Sequence, residues 1–148
     1  MQKSLSEYQE LITNYMYLGV LPFFIGAFGP WIFADHESVL THYFIIYSTI
    51  IFAFLSGAIW AIALFSPINF PRRHMHVAIV LSLIPFFSFF TPAVVNVSLL
   101  FSAYFILLFW EKLFINALYP SWYQAMRHRI SFIVIACHML VIWNLIRS

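Results

Sequence analysis

Charged residues are scarce in this chain of 148 residues: they make up 8% of it, against 64% hydrophobic residues. So little charge excludes an ordinary soluble domain, and it excludes nucleic-acid binding, which needs a clustered basic surface. Cysteine is nearly absent too. Cys137 stands alone inside an apolar run, so the chain cannot form an internal disulfide.

Catalytic and cofactor motifs are also missing. The chain has no glycine-rich nucleotide-binding loop, no zinc-protease pattern and no nucleophile elbow. Asp35, His36, Glu37 and His42 are metal-ligand residue types, but their spacing matches no known motif, so a solvated loop is the favoured interpretation. We therefore expect no enzymatic activity, no catalytic residues, no cofactor and no metal site.

The hydrophobic residues are gathered into five long runs. A bilayer core about 30 Å thick requires about 20 mostly apolar residues per spanning helix. The runs are continuous rather than alternating, which argues against membrane β-strands. The predicted fold is an all-α polytopic transmembrane helical bundle, a single domain over residues 1–148. Its five predicted spans are Tyr15–Phe33, Tyr43–Phe65, Val77–Val95, Val97–Leu118 and Ile130–Ile146.

The lysines and arginines predict an orientation. Six of them fall in segments that share one side of a five-span bundle, and Arg147 alone falls on the other. The six are Lys3, Arg72, Arg73, Lys112, Arg127 and Arg129. Because basic residues favour the cytoplasmic side, we expect a cytoplasmic N-terminus and an external C-terminus. The polar start, with Glu7 and Glu10, fits neither a signal peptide nor an Arg-rich presequence, which favours a bacterial inner membrane.

Two spans contain interior prolines, Pro22 and Pro85. Each proline removes one backbone hydrogen bond, so we expect a kink in each helix. A packing kink is the favoured interpretation. The alternative is a transporter site, because interrupted helices in corresponding positions often mark one.

The second span carries small residues at intervals of four. They form one helix stripe: Thr49, Ala53, Gly57 and Ala61. Such a stripe lets another backbone approach closely. Packing inside the monomer is favoured, with Gly19, Gly26 and Gly29 as a candidate partner surface. Packing between copies of the chain is the alternative.

His138 is the most suggestive ionisable residue, because it falls near the middle of the fifth span. Polar side chains at that depth are often functional. A proton relay or a ligand contact would use it. With no intramembrane carboxylate partner evident, we favour a neutral imidazole that is hydrogen-bonded to a neighbouring helix.

The end of the fourth span and the loop after it form the most polar segment. Glu111 is expected to pair with Arg127 or Arg129, since its neighbour Lys112 points about 100° away. Trp122 and Tyr123 suit the headgroup layer, and arginines suit the cytoplasmic leaflet. A charge network and interfacial anchoring are favoured. A lipid-phosphate or partner-protein site is the alternative.

Four short patterns occur in order along the chain. They are Leu18-Gly19-x-Leu21-Pro22-Phe23, Phe54-x-Ser56-Gly57-x-x-Trp60, Ser82-x-x-Pro85 and Pro120-x-Trp122-Tyr123-x-x-x-Arg127. The set resembles a family of small bacterial inner-membrane proteins related to mitochondrial transmembrane protein sixty-nine. The resemblance implies a multi-span membrane protein and brings no established reaction. Members often have a histidine where this chain has Ile59, so chemistry that needs that imidazole is not expected.

The functional expectation is a non-enzymatic integral membrane protein that acts by association. It would be a homo-oligomer or an accessory subunit, in an envelope or membrane-energetics role. One alternative is a small oligomeric transporter or channel for protons, ions or a small solute. Another is a lipid or quinone binder that uses the aromatic interior and the segment Trp122–Arg129. The expected partners are the bilayer and a second copy or another membrane protein.

Overall fold

The computed structural model describes residues 7–148, and every regular element within them is a helix. The α-helices are α1 (Gln9–Leu18), α2 (Leu21–Ile32), α3 (Glu37–Phe65), α4 (Pro71–Ser88), α5 (Ala93–Trp110) and α6 (Ser121–Arg147). Short 3₁₀ or π segments connect some of them: Ala34–His36, Glu111–Ile115 and Asn116–Leu118. The predicted all-α class is confirmed.

Four segments of the described chain are long and apolar enough to cross a membrane. They are Gln9–Ile32, Ala34–Phe65, Ala93–Leu118 and Ser121–Arg147. The helix α6 fills the last of them, has 27 residues and is about 40 Å long, which exceeds a bilayer core of about 30 Å. Each segment contains all or nearly all of one predicted span, so the structure supports the predicted class of membrane protein.

The third predicted span, Val77–Val95, had the wrong bounds. The helix α4 ends at Ser88, and Val95 already belongs to α5. Pro92 disfavours a helical conformation at the residue before it, which stops α4 from continuing. The side-chain amide of Asn96 donates to the Ser88 carbonyl at 2.8 Å and closes the turn.

The helix α4 also differs from the other long helices in composition. Its first six residues include Arg72, Arg73, His74 and His76, and it is not among the four most apolar segments. The remaining residues, from Val77 to Ser88, are mostly apolar. A helix with a polar first third and an apolar remainder has the pattern of one that enters the apolar layer of a membrane from the membrane interface.

The first apolar segment is interrupted between α1 and α2. Gly19 and Val20 form a turn, and Pro22 lies in the first turn of α2, where its missing N–H is tolerated. The hydroxyl of Tyr47 in α3 donates to the Gly19 carbonyl at 2.8 Å, which satisfies a backbone acceptor at the break. The predicted interior kink at Pro22 was therefore wrong. Pro85 does lie inside its helix, near the end of α4.

The core of the bundle is built around α3 and α6. The helix α3 packs against α2, α4 and α5, and α6 packs against α5 and α2. The inward face of α3 repeats every three or four residues, as expected of a buried helix stripe. It includes Phe44, Ser48, Phe52, Ser56, Ile59 and Ala63. The helix α1, in contrast, has no buried residue.

Basic residues gather at one end of the bundle. There, the Arg73 guanidinium lies over the Trp110 ring, 5.5 Å from its centroid, and Arg127 approaches Glu111. The other basic residues that the charge pattern assigned to the cytoplasm lie in the same part of the fold. Lys3 is the exception, because it lies outside the described residues.

The opposite end holds the start of α3 and the end of α6. The side-chain amide of Asn144 donates to Glu37 Oε1 at 2.8 Å. The Arg147 guanidinium lies over the Trp31 ring, 4.2 Å from its centroid. These contacts join the ends of three helices. Arg147 is the basic residue at this end, so the two ends of the bundle differ clearly in the number of basic residues that they hold.

Candidate functional site

An ion pair is buried where α5 meets α6. Arg127 Nη2 lies 3.0 Å from Glu111 Oε2 and donates a hydrogen bond to Oε1 at 3.1 Å. Arg127 is 7% exposed and Glu111 is 5% exposed. Pairing avoids the large cost of a lone charge in an apolar interior. Arg127 is thus the partner of Glu111, while Arg129 is exposed.

The connection from α5 to α6 holds the pair in register. Glu111 opens a π-helical segment, Glu111–Ile115, and such segments are frequent at functional sites. Beyond it, the amide of Gln124 donates to the carbonyls of Asn116 and Tyr119, each at 2.8 Å. The Asn116 amide donates in return to Gln124 Oε1 at 3.0 Å. These bonds fix the start of α6 against the end of α5.

Aromatic side chains surround the ion pair. The rings of Tyr119 and Tyr123 lie 4.9 Å apart, and Trp122 packs edge-on to Tyr123. Burial, and then the charge of Glu111, raises the pKa of the Tyr119 hydroxyl, so this group stays protonated. A hollow of about 440 Å³ lies between these aromatic residues and Ile12 of α1. The predicted polar segment is therefore partly an interior wall.

A second cavity, of about 290 Å³, is lined by Arg127 itself. Its walls are mostly apolar and come from α1, α2, α3, α5 and α6. Tyr123, Arg127 and Ser131 line it and follow one another at intervals of four on α6, so they share one helix face. Tyr15 is 65% exposed and Phe54 is 72% exposed. These two residues form the rim of the cavity.

His138 lies in a different environment, at the centre of the bundle. It is fully buried, at 0% exposure. Its Nδ1 lies 2.7 Å from the Val134 carbonyl, and its Nε2 lies 2.7 Å from Ser48 Oγ. Since a carbonyl only accepts, Nδ1 carries the proton and Nε2 accepts from the Ser48 hydroxyl. Both nitrogens of a neutral imidazole are therefore satisfied.

Three aromatic rings enclose the His138 imidazole. The ring centroids of Phe44, Tyr104 and Phe23 lie 4.8, 5.0 and 5.9 Å from it. The Tyr104 hydroxyl donates to the Ser48 backbone carbonyl at 2.9 Å, which ties α5 to α3. Among the described residues no carboxylate and no second histidine bonds to His138. This arrangement ties α6 and α5 to α3.

The small-residue stripe of α3 faces outward. Ala53, Gly57 and Ala61 are exposed and Thr49 is half-buried. A Cβ atom added to Gly57 would meet nothing within 4 Å. Packing of this stripe inside the monomer, the favoured interpretation, is therefore wrong. The reason is register: the buried small residues, Ser48 and Ser56, lie one position earlier, about 100° around the helix.

The glycines named as partners of that stripe pack elsewhere on α3. A Cβ on Gly26 would lie 2.7 Å from Phe44, and one on Gly29 would lie 2.9 Å from Leu40. Real Cβ contacts are almost never so short, so position 26 requires glycine, whereas at Gly29 the flexible end of the Leu40 side chain can move aside. Gly26 and Gly29 thus bring α2 close to α3, at a different place from the stripe.

The acidic residues between α2 and α3 lie near a surface hollow. Asp35, Glu37 and His42 line a hollow of about 530 Å³. Glu37 accepts the hydrogen bond from Asn144. Across residues 7–148 no three histidine, cysteine or acidic side chains are grouped so that they could hold a metal ion.

Sequence reasoning missed one buried histidine. His74 directly follows two arginines near the start of α4, yet it is only 3% exposed. Its Nδ1 accepts from Trp110 Nε1 at 3.1 Å, and its Nε2 donates to the Asn69 carbonyl at 3.1 Å. Because the two preceding residues are arginines, the sequence alone suggests an exposed histidine. The one sequence signal was the helical period, which places His74 in line with buried Ala78 and Leu81.

Comparison with known proteins gives one match. The profile of a family described as "Protein of unknown function (DUF3429)" matches residues 9–143. No curated protein and no solved structure matches the chain. The matched residues run from the start of α1 into the last turns of α6, and include both the ion pair and His138. Because that match covers most of its length, the chain belongs to the DUF3429 family.

Proposed function

We propose that this chain is a non-enzymatic, multi-pass membrane protein that acts by association with a second copy of itself. The proposal places it in a bacterial inner membrane as one domain with five crossings, α4 being the fifth. Its N-terminus is cytoplasmic and its C-terminus is external. The proposal includes an envelope or membrane-energetics role.

The outward small-residue stripe is the observation that carries this proposal. From Thr49 to Ala61 it runs about 18 Å along α3, at a rise of about 1.5 Å per residue. The open space at Gly57 lets a second helix approach to backbone contact. Lipid tails are as apolar as side chains, so close packing of backbones is what favours helix association in a membrane.

A second copy is the simplest partner for this stripe. Two identical stripes meet across a two-fold axis, and each then fills the open space of the other. The stripe lies on the longest helix of the described chain, which has 29 residues. Ala53, Gly57 and Ala61 carry no polar side-chain atoms, so over these three residues the contact needs no matched polar groups.

The test measures intact mass in membrane patches that keep native lipid. Gly57→Leu and Ala53→Leu should shift the protein from a multiple of the chain mass to the monomer, because leucine fills the gap that the second helix would occupy. Ala136→Leu is the matched control, since Ala136 is also exposed but lies on α6. A monomeric wild type, or assembly that both variants leave unchanged, would contradict self-association. If the measured mass contains a different protein at a fixed ratio, the stripe binds that protein instead of a second copy.

The transporter alternative gains no support from its main residue. His138 is enclosed by rings and has both nitrogens bonded. Flux of protons or ions into reconstituted vesicles that disappears in His138→Leu would restore that alternative. We expect the variant to leave vesicle permeability unchanged.

A further inference from the structure

We propose that the cavity lined by Arg127 binds a neutral, membrane-soluble molecule that carries a carbonyl group, such as a quinone or a fatty-acyl ester. The proposal rests on the cavity, on its entrance and on the hydrogen-bonding capacity of its walls. It does not depend on self-association, because none of the four residues of the outward stripe of α3 lines the cavity.

The entrance of the cavity faces the apolar layer. Phe54 lies near the middle of α3, a helix long enough to span a membrane, and its side chain is 72% exposed at the rim. Tyr15 of α1 forms another part of the rim. A molecule that enters between these side chains comes from among the lipid tails and not from bulk water. The occupant is therefore soluble in the membrane.

The helix α1 leaves the cavity room for an occupant. Tyr15, Met16 and Gly19 contribute to the wall, yet no residue of α1 is buried. Most of the opposite wall belongs to the packed core, including Phe23 and Val134. An apolar molecule between these two walls would bury surface on both sides. It would thereby hold α1 against the bundle.

The polar end of the cavity is rich in donors. A guanidinium has five N–H donors, and the hydrogen bond that Arg127 makes to residues 7–148 uses Nη2 alone. In the same described part of the chain the hydroxyls of Tyr123 and Ser131 make no hydrogen bond. None of these donor atoms is among the fully buried polar atoms of the described residues that lack a partner, so an occupant of the cavity can reach them. A carbonyl oxygen supplies an acceptor without bringing donors of its own.

Charge selects a neutral occupant. Glu111 already neutralises Arg127, so the pair as a whole carries no net charge. A phosphate or carboxylate headgroup would add a second negative charge close to Glu111, in a region of low dielectric constant where such charges repel strongly. A neutral carbonyl accepts from Arg127 without that cost. The volume of about 290 Å³ accommodates a ring or a short stretch of acyl chain, with the remainder extending through the entrance.

The test measures which probe the full-length chain retains. Nanodiscs of an ether-linked phosphatidylcholine, which has no ester carbonyl, receive a decyl-substituted benzoquinone, dioleoylglycerol or decylbenzene, and native mass spectrometry of the released protein reports the bound probe. Ser131→Leu fills the cavity. Ser102→Leu places the same side chain on the exposed face of α5 and is the matched control. The double variant E111Q/R127Q removes the charged donor without leaving a lone charge.

We expect the wild type and Ser102→Leu to retain the benzoquinone or dioleoylglycerol, and Ser131→Leu to lose it. E111Q/R127Q should bind about tenfold more weakly, the effect of losing one hydrogen bond to a charged group. Decylbenzene, which lacks a carbonyl, should not be retained. Whether the benzoquinone or dioleoylglycerol is kept identifies a quinone or an acyl ester as the ligand class.

Two results would overturn the proposal. One is retention of neither carbonyl probe above decylbenzene by the wild type. The other is retention that Ser131→Leu and E111Q/R127Q leave unchanged. If Ser131→Leu fails to fold, the double variant decides alone, since it adds no volume to the cavity.

Discussion

Two buried polar groups on the same helix differ in what surrounds them. His138 and Arg127 are eleven residues apart on α6, which is about 16 Å along the axis. His138 has both ring nitrogens bonded and three aromatic rings against it. Arg127 is bonded through Nη2 to Glu111 and lines a cavity. Burial alone therefore does not indicate function; unused donors beside open space do.

The largest expected effect concerns the ion pair. Arg127→Gln should lower the free energy of unfolding by about 3–5 kcal/mol, because Glu111 stays buried without its counter-charge. E111Q/R127Q should recover most of that loss, since it leaves no lone charge in the interior. Unfolding by sodium dodecyl sulfate in mixed micelles measures both changes.

The exposed Arg129 provides the matched control for that comparison. Arg129→Gln should change the free energy of unfolding by no more than about 0.5 kcal/mol, as is usual at a surface position. Equal losses in the single and double variants at the ion pair would show that a lone charge is not the cause.

An effect of intermediate size on stability distinguishes the tightly packed side of the bundle, near His138, from the side that holds the cavity. Gly26→Ala would place a Cβ 2.7 Å from Phe44, which packs on His138. We expect a loss of about 1–3 kcal/mol, as for other overpacked interiors. Gly19 lines the cavity, and the Cβ that Gly19→Ala adds meets only ordinary contacts, the nearest at 3.4 Å. It should be close to neutral in the same unfolding assay. A large loss at Gly19 would contradict a loosely packed α1.

The smallest effect concerns the bond between His138 and Ser48. His138→Leu, Ser48→Ala and the double variant form a cycle that isolates their interaction. We expect a coupling energy of about 1 kcal/mol, because interhelical hydrogen bonds in membranes are modest. A coupling near zero would mean that the 2.7 Å contact does not stabilise the fold. We expect all three variants to show the same flux of protons and ions into reconstituted vesicles as the wild type.

Some features followed from the sequence because they depend on local physics. Apolar length predicted the four longest apolar helical segments. The requirement that a buried charge be paired predicted a partner for Glu111. These inferences needed no knowledge of which helices are neighbours.

The rest depended on packing that the sequence does not display. The stripe through Gly57 and the buried stripe through Ser48 differ by one residue and are both rich in small side chains, so composition could not choose between them. The cavity beside Arg127 is built from five helices and requires their relative positions. The pairing of His74 with Trp110 joins residues 36 positions apart.

The most direct test of the account is ligand-dependent stability. A ligand that binds only the folded protein raises its Tm. We expect a fixed concentration of decyl-substituted benzoquinone or dioleoylglycerol to raise the Tm of the wild type and of His138→Leu, and to raise that of E111Q/R127Q by clearly less. A rise that His138→Leu abolishes and E111Q/R127Q preserves would contradict the account, because the binding group would then be the histidine.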